Sequence, residues 1–251
     1  MKKIIVIICF SLIYITSWPS VAGVDNIRNK PTIESINAVK WWRDSAERIA
    51  IYREIFLMAD HSIKQQILKD HLKPHTWGVI VDVDETILDN SKWNREHVSK
   101  QSQKSWDEFA AEGISIRTPG AKELLTSIHQ LGGYANLVTN RPEYLRSVTE
   151  KNLKQEGLYF DQILLKPNDS RNWYEDKNFR FQAIIKGKNP SHLPAQTIIA
   201  WLGDNIQDFP KLKQNMMSQQ NSEGFAYDKF GVMYFALPNP MYGSWENNTF
   251  H

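Results

Sequence analysis

The sequence has very little cysteine and no long apolar run. Its one cysteine, Cys9, lies in residues 1–22, where the basic pair Lys2-Lys3 precedes the apolar stretch Ile4–Ile15 and small residues follow. This order is typical of an export signal, and the apolar stretch is shorter than the ~20 residues of a bilayer-spanning helix. We therefore predict cleavage before Gly23 and a periplasmic or secreted chain that has neither disulfides nor thiolate chemistry.

Two alternatives for the N-terminus stay open, a retained membrane anchor and a lipid anchor on Cys9. Ile8 stands directly before Cys9, where a lipidation motif usually has a small residue. This disfavours attachment to an outer membrane through lipid. A stable membrane span is not expected once the signal has been removed.

The chain without its signal also lacks net charge. The full sequence has 30 basic and 28 acidic residues, and the loss of Lys2 and Lys3 leaves 28 of each. A neutral chain argues against a general binder of nucleic acids or membrane surfaces. With 41% hydrophobic residues, the composition is that of an ordinary globular protein.

Five short apolar runs alternate with helical segments after residue 77. Such runs are typical of parallel strands that are buried on both faces, and alternation with helices predicts a doubly wound, mostly parallel α/β sheet flanked by helices. We expect one domain over residues 23–251. The predicted strands are Gly78–Val81, Ala135–Val138, Gln162–Leu165, Thr197–Leu202 and Val232–Ala236.

Two further segments flank or interrupt this alternation. An imperfect apolar stripe predicts a helical extension over about residues 33–70. Residues 90–117 form a long connection after the first strand, and we interpret them as a small, partly helical cap that carries Trp93, Trp106 and Phe109.

Acidic and hydroxyl side chains follow the predicted strands at their carboxyl ends. Asp82 and Asp84 come after the first strand, Thr139 after the second, and Asp204 after the fourth, with Asp208 four residues later. Ligands of doubly wound sheets bind outside the carboxyl ends of the strands. We therefore expect these side chains to converge on one site, although Asp208 has the alternative of a helix-start charge.

The residue types suit phosphoryl transfer. Asp82 can attack phosphorus as a nucleophile, and Asp84 can protonate the leaving oxygen and then activate water. The hydroxyl of Thr139 and the N–H groups after it suit phosphate oxygens. Several carboxylates around one phosphate require a cation, and an all-oxygen set that includes Asp204 and Asp208 favours one Mg²⁺ ion over zinc.

A lysine is also expected beside the phosphate, and two candidates are present. Lys166 directly follows the third predicted strand, so strand-end geometry favours it. Lys177 opens the segment Lys-Asn-Phe-Arg-Phe. The residues alone leave this choice open.

Five segments follow one another in a fixed order, and the first four contain residues named above. They are Asp82-Val83-Asp84-Glu85-Thr86-Ile87-Leu88-Asp89-Asn90-Ser91, Val138-Thr139-Asn140-Arg141, Lys177-Asn178-Phe179-Arg180-Phe181, Gly203-Asp204-Asn205-Ile206-Gln207-Asp208-Phe209 and Leu237-Pro238-Asn239-Pro240-Met241-Tyr242-Gly243-Ser244-Trp245-Glu246. Taken together, these segments resemble the haloacid dehalogenase superfamily of phosphohydrolases, and within it the class C acid phosphatases. The resemblance spans roughly residues 40 to 246.

The resemblance implies a role for each matching residue. Asp82 would be nucleophile and metal ligand, and Asp84 would be acid/base with its backbone carbonyl on Mg²⁺. Asp204 and Asp208 would complete the metal site. The phosphate-site lysine would be Lys177.

The resemblance also implies hydrolysis of phosphomonoesters, with 5′-nucleotides as one class of substrate. Trp106 and Tyr242 are then candidates to stack on a base. Asn140 and Arg141 are assigned to substrate binding. Core packing of Trp106 and a structural ion pair of Arg141 are the alternatives.

Two other functions use similar residues. A non-catalytic phosphate-binding or storage protein on the same scaffold would be marked by loss of the nucleophile, whereas Asp82 and Asp84 are both present. A phosphoacceptor signalling module is disfavoured by the export signal. Whether the chain forms a homodimer stays open.

Overall fold

The computed structural model describes residues 33–98, 101–168, 176–214 and 227–249. The predicted signal, residues 1–22, and Cys9 lie outside these ranges, so cleavage stays a prediction. Along the stretches that the structure describes, no helix combines the length and the apolar character needed to cross a bilayer.

A five-stranded parallel sheet forms the centre of the fold. Its strands lie in the order β5-β4-β1-β6-β7, and each neighbouring pair is parallel. A separate antiparallel pair is formed by β2 and β3. The strands are β1 Trp77–Val81, β2 Leu88–Asp89, β3 Ile116–Arg117, β4 Tyr134–Pro142, β5 Gln162–Lys166, β6 Thr197–Gly203 and β7 Tyr234–Ala236.

The central position of β1 creates the switch point of the sheet. From β1 the chain continues to β4 and β5 on one side, and later to β6 and β7 on the other. The carboxyl ends of β1, β4 and β6 therefore lie side by side. This is the place where doubly wound sheets bind ligands.

Helices cover both faces of the sheet. Successive side chains of a strand point to opposite faces, and both sets are buried here. Val79 and Val81 of β1 belong to one core, and Ile80 belongs to a second core on the other face. The first core includes residues of α2, α5 and α6, and the second includes residues of α7. The helices are α1 Ile33–Asp44, α2 Ala46–Lys69, α3 Ser91–Glu96, α4 Gln103–Glu112, α5 Ala121–Gln130, α6 Arg146–Gln155 and α7 Asn178–Ile185.

The cap segment is closed at its base by the small β2–β3 pair. Leu88 pairs with Arg117 and Asp89 pairs with Ile116, so the two ends of the insert lie side by side. Between them lie α3 and α4, which agrees with a partly helical insert. The antiparallel pair at its base was not predicted.

Several element boundaries differ from the expectations, and the second strand, predicted over Ala135–Val138, runs over Tyr134–Pro142. The N-terminal helical segment is two helices, because Ser45 caps the start of α2 and accepts the N–H of Arg48 at 3.1 Å. The fifth strand is shorter than expected, since Val232 lies in a turn that follows Gly231, whose φ is 81°.

Candidate active site

Asp82 stands at the carboxyl end of β1 and is almost completely buried. Its backbone N–H donates to the carbonyl of Leu202 at 2.9 Å, which extends the pairing with β6 to this residue. The side chain is 7% exposed. Its Oδ2 accepts the hydroxyl of Thr86 at 3.1 Å, and the same hydroxyl lies 3.2 Å from Asp204 Oδ1.

Asp82, Asp204 and Asp208 form a compact group of carboxylates. Each offers an oxygen, and these oxygens lie within 4.8 Å of one another. Gly203 permits the approach of Asp208, because a Cβ on this glycine would lie 2.3 Å from the Cβ of Asp208. Asn239 donates to Asp204 Oδ2 at 2.8 Å and fixes that carboxylate.

Burial and mutual repulsion disfavour the charged forms of Asp82 and Asp204. The pKa of Asp82 rises from 3.8 to about 6, mainly through burial, with further increases from Asp208 and Asp84 and an opposing effect of Lys177. Burial and the same kind of repulsion raise the pKa of Asp204 well above its usual value. Neighbouring acids with raised pKa values are typical of a functional site.

Lys177 is the lysine that reaches these acids. Its Nζ donates to Asp208 Oδ1 at 2.7 Å and to Asp82 Oδ1. Burial opposes its charge, but Asp208 and Asp82 outweigh that effect and raise the pKa of Lys177 to about 12. Lys166, which strand-end geometry favoured, lies at the last position of β5.

Asp84 forms an ion pair with Arg141. The guanidinium donates through Nη2 to Asp84 Oδ1 at 2.7 Å and through Nε at 2.9 Å. Asn90 donates to the same oxygen at 2.8 Å. Arg141 is 2% exposed and also donates to Thr149. The structural ion pair is therefore observed, whereas substrate contact by Arg141 stays a prediction.

The Thr139–Asn140 segment lies at the end of β4 and is held by Arg180. The Arg180 guanidinium donates to the Thr139 carbonyl and to Asn140 Oδ1, each at 2.5 Å. The Thr139 hydroxyl accepts the Arg141 N–H at 3.1 Å and lies 3.4 Å from Asp84 Oδ2. Burial lowers the pKa of Arg180 to about 10.

The two aromatic candidates lie close to this site. The Trp106 ring lies 5.8 Å from the Arg141 guanidinium carbon and makes an edge contact with Trp93 at 5.2 Å. The Tyr242 hydroxyl donates to the Glu85 carboxylate. Base stacking by Trp106 and Tyr242 stays a prediction.

The structure thus brings all ten predicted site residues into one region. Sequence reasoning gave no role to five other residues that hold them. Arg180 stands three positions after Lys177 at the start of α7, and this helical spacing could have indicated it. The other four are Glu85, Thr86, Asn90 and Asn239.

Comparison with known proteins identifies one matching family and two similar solved structures. The family model of the HAD superfamily, subfamily IIIB (Acid phosphatase) matches residues 10–245, nearly the whole chain. The structure is similar to that of the class C acid phosphatase from Bacillus anthracis, with a TM-score of 0.73 and 23% sequence identity over 85% of this chain and 86% of that one. The tungstate-bound form of that enzyme matches with a TM-score of 0.71 and 22% identity over the same shares.

Proposed function

The chain belongs to the HAD superfamily, subfamily IIIB, the acid phosphatases, and from that premise we propose how its residues divide the work of phosphomonoester hydrolysis. Asp82 is the nucleophile, Asp84 the acid/base, and one Mg²⁺ ion the cofactor. The observation that carries this proposal is that the two aspartates have different partners. Asp82 lies with Lys177 among clustered carboxylates, whereas Asp84 is held by Arg141.

The donor set fits a divalent cation. Asp82, Asp204 and Asp208 supply oxygen atoms only, which suit Mg²⁺. Lys177 offsets part of their negative charge, and the raised pKa values of Asp82 and Asp204 indicate that more positive charge would be favourable. When bound, the cation would neutralise these carboxylates and draw electron density from a phosphoryl oxygen.

In the first half-reaction, a carboxylate oxygen of Asp82 forms a bond to phosphorus as the bond to the leaving oxygen breaks. Asp84 gives its proton to that oxygen, so the alcohol leaves neutral. Lys177 and the Thr139 hydroxyl bind the phosphoryl oxygens. Arg141 and Asn90 fix the orientation of the Asp84 side chain, because they donate several hydrogen bonds to its carboxylate.

In the second half-reaction, water attacks the phosphorus of the aspartyl-phosphate. Asp84, now ionised, takes a proton from this water, and the bond between Asp82 and phosphorus breaks. Inorganic phosphate leaves, Asp82 regains its carboxylate and Asp84 regains its proton. The cycle returns both residues to their initial forms.

The substrates that we propose are small phosphomonoesters, including 5′-nucleotides. Trp106 lies beside Arg141 and so beside the acid/base. An aromatic ring there can stack on a leaving group that carries a base, a contact that contributes about 1–3 kcal/mol. From residues 1–22 we also propose that the chain is exported.

The experiment is phosphate release from a 5′-nucleotide and from an aryl phosphate, with Mg²⁺ or with chelator. We expect release that depends on the metal and is lost in Asp82→Asn, which keeps the size of the side chain but removes the nucleophile. The ratio of the two substrates in Trp106→Leu measures the aromatic contribution. Absence of release by a folded wild-type chain that binds Mg²⁺ would instead support the non-catalytic binding protein.

A further inference from the structure

Glu85, between Asp84 and Thr86, is bonded through both its main chain and its side chain. The residue is fully buried. Its N–H donates to the Leu88 carbonyl at 2.8 Å, and its carbonyl accepts the hydroxyl of Tyr52 at 2.5 Å. Its carboxylate accepts the Asn90 N–H at 2.8 Å and the hydroxyl of Tyr242.

The backbone conformation of Glu85 is one that needs hydrogen bonds such as these to hold it in place. Its φ of 53° lies in the left-handed region, which a residue with a Cβ seldom adopts. Such a conformation costs about 1–3 kcal/mol and persists only where the surroundings fix it. The direction of the chain through Asp84 and Thr86 therefore depends on the contacts of Glu85.

Asn90 connects Glu85 to the acid/base. Its side-chain amide donates to Asp84 Oδ1 at 2.8 Å and to Glu85 Oε2 at 3.3 Å. Its Oδ1 accepts from Ser115 at 2.6 Å and from Arg141 at 3.2 Å. A shift of Glu85 would therefore move the Asn90 amide, which donates a hydrogen bond to Asp84.

The two tyrosines approach Glu85 from opposite ends of the chain. Tyr52 belongs to α2 and is fully buried, with its ring 5.4 Å from that of Trp42 and 4.9 Å from the guanidinium carbon of Arg48. Tyr242 belongs to the segment after β7. Each phenol contributes one hydroxyl hydrogen, and these two hydrogens are donated to different parts of Glu85.

We propose that Tyr52 and Tyr242 are positioning residues that set the acid/base step through Glu85 and Asn90. Tyr52 fixes the peptide after Glu85, and Tyr242 fixes its carboxylate. The N-terminal helical extension and the C-terminal segment thereby both take part in catalysis without contact with the reacting atoms. This inference rests on the proposed function, because the step that it concerns is proton transfer by Asp84.

The test uses Tyr52→Phe and Tyr242→Phe in the full chain, with an aryl phosphate as substrate. Phenylalanine keeps each ring and removes only the hydroxyl. Misplacement of a catalytic group by ~1 Å lowers turnover on the order of a hundredfold, so we expect kcat to fall about tenfold to hundredfold with KM changed less than about twofold. The losses in the double variant should be less than multiplicative, because both hydroxyls act on one residue.

Tyr159→Phe is the matched control. The Tyr159 hydroxyl donates to Asp161 at 2.7 Å near the start of β5, at the opposite edge of the sheet from the site. We expect this variant to keep the wild-type kcat. Tyr242→Phe with an unchanged kcat would overturn the positioning role of Tyr242, and Tyr52→Phe with an unchanged kcat would overturn that of Tyr52.

A second readout does not require turnover. The NMR resonances of the Asn90 side-chain amide and of the Arg141 Nε–H should shift in Tyr52→Phe and Tyr242→Phe but not in Tyr159→Phe. Unshifted resonances would overturn the inference even if the variants lose activity. A wild-type chain that releases no phosphate would contradict the proposed function, and the resonances would still decide whether the tyrosines hold the Asp84 region.

Discussion

Removal of the Lys177 charge should destabilise the metal-free protein in a way that depends on pH. Lys177, Asp82 and Asp208 are 5%, 7% and 4% exposed, so the lysine forms ion pairs that are nearly shielded from water. Breaking a buried pair by removal of one partner costs about 3–5 kcal/mol, because the remaining charge is buried without compensation. Lys177→Met keeps the apolar part of the side chain, and its free energy of unfolding should be lower than that of the wild type by this amount at about pH 8.

The loss should shrink as the pH falls. The native pKa of Asp82 is already about 6, above the ordinary 3.8, and it would rise further without Lys177, which opposes the increase. An acid whose native pKa is raised binds more protons when folded, so its contribution to stability declines as the pH rises from about 4 through about 6. At about pH 5 the variant can protonate Asp82 and avoid much of the penalty.

The assay is urea unfolding with chelator at about pH 5 and about pH 8, for wild type and Lys177→Met. The difference in unfolding free energy should be larger at the higher pH. Lys166→Met is the control, since Lys166 lies partly exposed at the end of β5 and should lose no more than about 1 kcal/mol. An equal loss at both pH values would refute the reasoning.

Three further predictions concern the metal, the acid and the phosphate. Gly203→Ala would place a Cβ 2.3 Å from Asp208, so we expect Mg²⁺ affinity, measured by calorimetry, to fall about tenfold or more. Arg141→Met should lower kcat about a hundredfold, because Asp84 would no longer be oriented toward the leaving oxygen. The fall in kcat should be smaller for aryl phosphates with better leaving groups, which depend less on protonation. Thr139→Val should weaken inhibition by inorganic phosphate, whereas Thr139→Ser should restore it, because a single hydroxyl distinguishes these variants.

The central sheet and the position of the site were predictable because both depend on local patterns. Apolar runs followed by polar residues indicate where buried strands end, and parallel strands bring those ends together. Asp82, Thr139 and Asp204 could therefore be placed at one edge before any contact was known. The start of β7 was less certain, because the turn before it depends on a single glycine, Gly231.

Most of the contacts that hold the site were not predictable from local patterns. Tyr52, Glu85 and Tyr242 are far apart in sequence, and their hydrogen bonds depend on how α2 and the C-terminal segment pack onto the sheet. Lys177 shows the same limit. Strand-end geometry favoured Lys166, but a long lysine side chain at a helix start reaches the nucleophile, and only the family resemblance indicated it.

The most direct test of the account is to trap the phosphoryl group during turnover. The Mg²⁺-loaded protein would be mixed with an aryl phosphate, quenched in acid within one turnover and analysed by mass spectrometry of its peptides. The account predicts one phosphoryl group on Asp82 in the wild type and none at this position in Asp82→Asn. Rapid product release by the wild type with no phosphoryl group on Asp82 would contradict it.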